Sequence, residues 1–254
     1  MVNKHKVDGY TFWVSDNTSN AEDEIRAFTD CVTKDQYNVR NVVDVPPKIV
    51  FDCGSHIGSF SYLVKTLWPD AMVVVIEPNS DSMLLAQKNL LEVSDDNVVF
   101  VEGGIWYNGL RPKYFMKNDF CKTTSKFVFD EDGYDRNVLQ WHKEQSKSNP
   151  YLHKEHDISL YTIEEIMERL EVSHIDLLKL DIQCAEYDLF KNTALSSSDV
   201  DVIVGELHNM DYVTDFKDKV SLFNEAFSEH YVSHEGFYMG DGEEKYVFSA
   251  TRRK

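Results

Sequence analysis

Asp52, Gly54, Gly58 and Glu77 are spaced to hold a nucleoside. They stand in the runs IVFDCGSHIGSF (49–60) and VVVIEPN (73–79), where each acidic residue ends an apolar stretch. A dinucleotide site uses G-x-G-x-x-G, so that a pyrophosphate lies on bare amides at a helix N-terminus. Here the run is D-x-G-x-x-x-G, with Asp52 where the first glycine would stand. A carboxylate there repels a pyrophosphate and accepts hydrogen bonds from an ammonium or hydroxyls. Gly54 permits close backbone approach or a positive φ. Glu77 can take both hydroxyls of a ribose. The ligand implied has adenosine, no phosphate and a cationic amino-acid end, which describes S-adenosylmethionine better than NAD. A ligand-free strand and turn is disfavoured, since such acidic residues are costly to bury unpaired.

A second group lies in LLKLDIQCAEYDLF (177–190) and VGELHNM (204–210). Lys179 breaks an apolar strand pattern, Asp181 falls at the strand mouth, and Glu186 lies on the helix that follows. Glu206, His208 and Asn209 stand at another strand mouth. Removing a proton from a hydroxyl nucleophile needs a base, and Asp181 and His208 are the candidates. An unperturbed His208, with a pKa of about 6.5, is neutral near pH 7. Lys179 joins this candidate catalytic set as the ion partner of Asp181. The alternative is a buried ion network of Lys179, Asp181 and Glu186 with a structural role only. Asp181 with His208 or Asn209 could also hold Mg²⁺ or Mn²⁺. Only one carboxylate reads with certainty there, so metal-free chemistry is favoured over a divalent metal.

The elements that must position these groups alternate between strand and helix. Ile49–Phe51, Val73–Ile76, Asn97–Val101, Ile158–Tyr161, Ile175–Leu180 and Val202–Val204 read as strands. Residues 59–67, Ser80–Leu91, Ala185–Asn192 and Phe216–His230 read as helices, as does the segment after Thr162, whose Glu165 completes a capping box. The pattern predicts an α/β fold with a mostly parallel sheet covered on both faces. Glu235–Tyr238 and Tyr246–Thr251, around Gly240-Asp241-Gly242, predict a closing antiparallel hairpin, which suits a methyltransferase better than a dehydrogenase. Residues 1–48 are an N-terminal elaboration. It has a strand or hairpin at 7–14, then a helix from Ser19 to Thr33 with Asn20 as a possible cap. An aromatic-rich insert at about 105–156 interrupts the main domain of 49–254; its rings, Trp106 among them, could stack on a sugar or fill a core.

The chain has 254 residues and a net charge of −18. That charge opposes nucleic acid and anionic lipid as partners, both of which need a basic footprint. No apolar run reaches the ~20 residues of a membrane span, and MVNKHKVDGY is no signal peptide. Cys31, Cys53, Cys121 and Cys184 show no C-x-x-C spacing. Reduced thiols in a cytoplasmic protein are the expectation.

Together these segments resemble the FkbM family of S-adenosylmethionine-dependent methyltransferases, over residues 49–104 and 156–208. Lys179, Asp181, Ala185 and Glu186 match the family's signature, while Gln183 and Cys184 replace an acid and a glycine. The resemblance implies a Rossmann-like class I methyltransferase sheet. It implies that Asp52, Gly54 and Gly58 hold the methionine moiety, with Ser55 and His56 in the same loop. Glu77, followed by Pro78, would hold the ribose, with Glu102 and Gly104 near the adenine. It also implies O-methylation of a hydroxyl on a sugar, a glycan or another natural product. A degenerate module that only binds S-adenosylmethionine is the alternative. The acceptor, the oligomeric state and any longer parent chain are left open.

Overall fold

The computed structural model describes residues 2–16, 18–94, 96–106, 114–117, 126–128, 154–156, 158–183, 185–186, 189–190, 197–208, 221, 223–240 and 243–252. Strands β1 (Val2–Val7) and β2 (Tyr10–Ser15) form an antiparallel hairpin. Asp8 and Gly9 turn it with φ of 49° and 90°, the left-handed pair that suits a two-residue hairpin turn. The hairpin thus starts at Val2, before the 7–14 read from the sequence. Helix α1 (Thr18–Phe28) continues as a π-helical turn, Thr29–Thr33. Asn20 is therefore inside the helix rather than its cap. A short α2 (Val39–Val42) precedes the sheet.

Then come β3 (Ile49–Cys53), α3 (Ser59–Leu67), β4 (Met72–Glu77), α4 (Ser80–Leu90) and β5 (Val98–Glu102). β3 and β4 are buried along almost their whole length. This explains why they read as unbroken apolar runs rather than alternating ones. Asn79 caps α4 by accepting from the Asp81 and Ser82 amides.

In the insert, β6 (Gly104–Ile105) pairs in parallel with the later β10 (Leu160–Tyr161). Between them β7 (Tyr114–Lys117), β8 (Lys126–Val128) and β9 (Lys154–His156) make a small antiparallel sheet. Trp106 is buried in the main core, so it fills space rather than offering a face to a sugar. The side chains of the other insert aromatics lie outside the described residues.

Helix α5 (Ile163–Arg169) has the expected capping box, with Thr162 Oγ1 accepting from the Glu165 amide at 3.0 Å and Glu165 returning the bond at 2.9 Å. β11 (Ile175–Leu180), β12 (Val200–His208), β13 (His230–Gly240) and β14 (Glu243–Arg252) complete the sheet. Its order is β13-β14-β12-β11-β3-β4-β5. The five strands from β12 to β5 are parallel, and β14 and β13 run antiparallel. β13 is longer than expected, and His230 opens it instead of ending a helix. Among the described residues no helix is long and apolar enough to cross a membrane.

Two core layers cover the sheet. Phe51, Val74, Leu178, Ile203 and Phe248 face one; Val50, Val73, Leu177 and Val204 face the other. The N-terminal segment packs into the second layer, where Phe12 stacks on Phe28 with centroids 3.7 Å apart. The chain steps outward from β3 to β5, then returns to β3's other side as β11. That reversal opens a crevice beyond the carboxyl ends of β3 and β11, where open α/β sheets bind ligands.

Candidate active site

A cavity fills this crevice, lined among others by Gly54, Ser55, His56, Glu77, Pro78 and Gly104. Gly54 has φ of 78°, and a Cβ there would lie 1.9 Å from the Asp181 carbonyl oxygen. Both readings of this glycine hold, but the close backbone belongs to the protein itself. The Glu77 carboxylate accepts from the His56 and Asn79 amides at 2.9 and 2.8 Å. Burial pushes its pKa up to about 7, against the pull of those two amides and of Lys179. Ser55 Oγ is buried with no hydrogen-bond partner among the described residues.

Asp52, Gly58 and Glu102 do not line the cavity. Asp52 is fully buried behind the loop, where one oxygen accepts from Ser61 Oγ at 2.6 Å and from the Ser61 amide at 3.2 Å. Its other oxygen lies 3.3 Å from Lys179 Nζ. The carboxylate is occupied by the protein and shapes the loop from beneath. Gly58 turns the chain into α3 at φ 79°, packed where a Cβ would stand 3.0 Å from the Ala86 methyl. Glu102 is exposed and accepts from Ser80 Oγ at 2.6 Å.

Lys179 sits opposite Asp52 because β11 and β3 pair in that register. Its ammonium donates to the Gly54 carbonyl at 2.6 Å and lies 3.8 Å from Asp181 Oδ2. Burial alone would lower its pKa, but Asp52 and Asp181 outweigh that and raise it. Lys179 therefore stays charged and anchors the loop instead of exchanging protons.

β12 runs through Glu206 and His208, beyond the expected Val204, because β14 pairs with it as far as His208↔Lys245. Two residues apart on one strand, Glu206 and His208 point to the same face. His208 Nδ1 lies 3.1 Å from Glu186 Oε1, and its Nε2 is 3.4 Å from Glu206 Oε2 and 3.6 Å from Asp181 Oδ1. Burial would lower this pKa, but the carboxylates raise it well above the ordinary value. His208 is thus enclosed by carboxylates, with Glu186 on the Nδ1 side and Glu206 and Asp181 on the Nε2 side, so the neutral, unperturbed ring expected from the sequence is not the environment it occupies. Asp181 lines the cavity, and Asn209 lies outside the described residues.

The profile of the Methyltransferase FkbM domain matches residues 52–230. The chain belongs to this family. S-adenosylmethionine is accordingly the methyl donor. No curated protein matches the chain. A solved structure of a candidate SAM-dependent methyltransferase from Streptococcus mutans matches with a TM-score of 0.52 and 11% identity, covering 98% of this chain and 55% of that one. P. horikoshii TYW2, solved with MeSAdo, matches at 0.46 and 10%, covering 98% and 70%. M. capricolum TrmK, solved with S-adenosylhomocysteine, matches at 0.45 and 10%, covering 82% and 63%. The S. mutans likeness is one of fold. This chain spans little more than half of that protein.

The FkbM match starts at Asp52, yet the cavity wall includes Ala27, Gln36 and Tyr37 from the N-terminal segment. Tyr37 is buried and its hydroxyl donates to Asp181 Oδ2 at 3.1 Å. Gln183, at φ 53°, lines the cavity too, and its side-chain nitrogen donates to Asp181 Oδ1 at 3.2 Å. Nothing local marked Tyr37, while Gln183 stood out only as a departure from the FkbM signature.

Proposed function

We propose that this FkbM domain is an S-adenosylmethionine-dependent O-methyltransferase acting on a hydroxyl of a sugar or glycan. The observation that carries the reading is Asp181, a carboxylate at the switch point that faces the cavity and is held at both oxygens, by Tyr37 and Gln183. In this reading the Gly54–His56 loop holds the methionine part, with the Ser55 hydroxyl donating to its carboxylate. Glu77 holds the ribose, and Pro78 and Gly104 flank the adenine. The methyl donor supplies an electrophilic methyl group. Asp181 takes the proton from the acceptor oxygen, and the fixed rotamer aligns that oxygen for in-line attack. His208 links the surrounding carboxylates, with Glu186 on one ring nitrogen and Glu206 and Asp181 near the other.

The acceptor class follows the FkbM resemblance, and the acidic chain suits a neutral or cationic small molecule or glycan rather than nucleic acid. A cytoplasmic location, with Cys31 and Cys53 as buried free thiols, belongs to the same reading. The test has two parts. Calorimetry should show S-adenosylhomocysteine binding and no NAD binding. Incubation with methyl-labelled S-adenosylmethionine and a panel of sugars and glycans should put label on an oxygen. Label on nitrogen or carbon, or binding without transfer to any acceptor tried, would count against O-methylation of sugars.

A further inference from the structure

We propose that Asp181, Glu206 and His208 form a binding site for one divalent cation of the Mg²⁺/Mn²⁺ class, with the Gln183 side-chain carbonyl as a fourth ligand. The sequence places one carboxylate here with certainty; the extension of β12 supplies a second, Glu206. The Asp181, Glu206 and His208 ligand atoms all lie within 4.8 Å of one another. From His208 Nε2, Glu206 Oε2 is 3.4 Å away and Asp181 Oδ1 3.6 Å. Ligands around a small cation at ~2.1 Å are separated by roughly 3 Å, so modest inward movement closes the shell. Glu186 accepts from the far ring nitrogen at 3.1 Å, which aims Nε2 at the carboxylates. Metal-binding imidazoles are held in this way.

Gln183 supplies a separate observation. Its amide nitrogen stands at the hub, 3.1 Å from His208 Nε2 and 3.2 Å from Asp181 Oδ1. Its oxygen, Oε1, is buried without a hydrogen-bond partner among the described residues. A buried amide oxygen left unmatched is costly. Turning the amide by half a rotation brings that oxygen to the hub, where a cation gives it a partner. One imidazole, two carboxylates and an amide oxygen suit Mn²⁺ and Mg²⁺. Cation binding displaces any proton on Nε2. Asp181 and Gln183 also line the cavity, so the cation's open positions face the acceptor. Its use in lowering the acceptor hydroxyl's pKa rests on the methyl-transfer reading above; its occupancy does not. With the cation on Asp181 Oδ1 in place of the Gln183 amide, the base in that reading is the other oxygen, Oδ2, which Tyr37 holds.

The test is Mn²⁺ binding to the chelator-stripped full chain, by calorimetry and by loss of the free-ion paramagnetic resonance signal. One Mn²⁺ should bind per chain. Glu206→Gln should weaken it at least about tenfold, and Gln183→Leu, at a half-buried position, should weaken it while circular dichroism stays unchanged. Asp201→Asn should leave binding intact, because His174, Asp176 and Asp201 form a separate cluster at the amino ends of β11 and β12, away from the carboxyl ends that carry the proposed site. No Mn²⁺ binding up to millimolar, equal binding by wild type and Glu206→Gln, or loss only in Asp201→Asn would each overturn the site. S-adenosylhomocysteine binding in EDTA, measured on the same sample, tests the methyl-donor reading independently.

Discussion

The Lys179 ammonium donates to the Gly54 carbonyl at 2.6 Å and so ties β11 to the loop after β3. Its charge partner is Asp52, which is fully buried. Removing one partner of a buried pair leaves an uncompensated charge, at about 3–5 kcal/mol. Lys179→Met should lower unfolding stability by that amount in urea titrations. A loss under about 1 kcal/mol would mean that the pair does not hold the loop.

Gly54→Ala should destabilise the cofactor-free protein. The added methyl would meet the Asp181 carbonyl at 1.9 Å, and φ of 78° is strained for any residue with a Cβ. A loss of more than about 1 kcal/mol is expected, read as a fall in Tm without ligand. If Tm is unchanged and only S-adenosylhomocysteine binding suffers, the glycine serves the cofactor rather than the backbone.

Glu77 gives cofactor binding and folding opposite pH slopes. Its folded-state pKa is raised from 4.5 to about 7 by burial. A carboxyl raised on folding favours the folded state fully below about pH 4.5 and loses that contribution as pH rises through about 7. The loss is on the order of 3 kcal/mol, at about 1.4 kcal/mol per unit. Binding runs the other way, since the ionised form accepts ribose hydroxyls best. S-adenosylhomocysteine affinity should fall by up to about tenfold per pH unit below 7 and level off above 8. Calorimetry from pH 5.5 to 8.5 checks this, and Glu77→Gln should flatten the profile.

Asp181→Asn should reduce turnover by about 10²–10⁴-fold once an acceptor is known, the usual effect of losing a general base. S-adenosylhomocysteine affinity should change little. Tyr37→Phe removes only the hydroxyl that holds Asp181 Oδ2 and should give a smaller loss in kcat with KM for S-adenosylmethionine kept. Normal turnover in Asp181→Asn would return Asp181 to a purely structural network.

Much of the fold was legible in the sequence. Unbroken apolar runs marked the parallel strands, Thr162 and Glu165 marked a helix start, and D-x-G-x-x-x-G with Glu77 marked the crevice and its class of ligand. Each of these signals is local, set by backbone preference and by the spacing of neighbouring residues. The partner of each charged group was not local. Strand register set Lys179 beside Asp52, which took that carboxylate away from the cofactor. Pairing with β14 extended β12 and brought Glu206 and His208 to one face, where Glu186 and Asp181 flank the imidazole and raise its pKa. Packing of the N-terminal segment brought Tyr37 to Asp181, 144 residues away along the chain. The sequence by itself determined which chemistry-bearing residues exist and which end of the sheet they serve. Only the tertiary structure decided which of them face the cavity and which neutralise one another, because burial and charge pairing depend on contacts between distant segments.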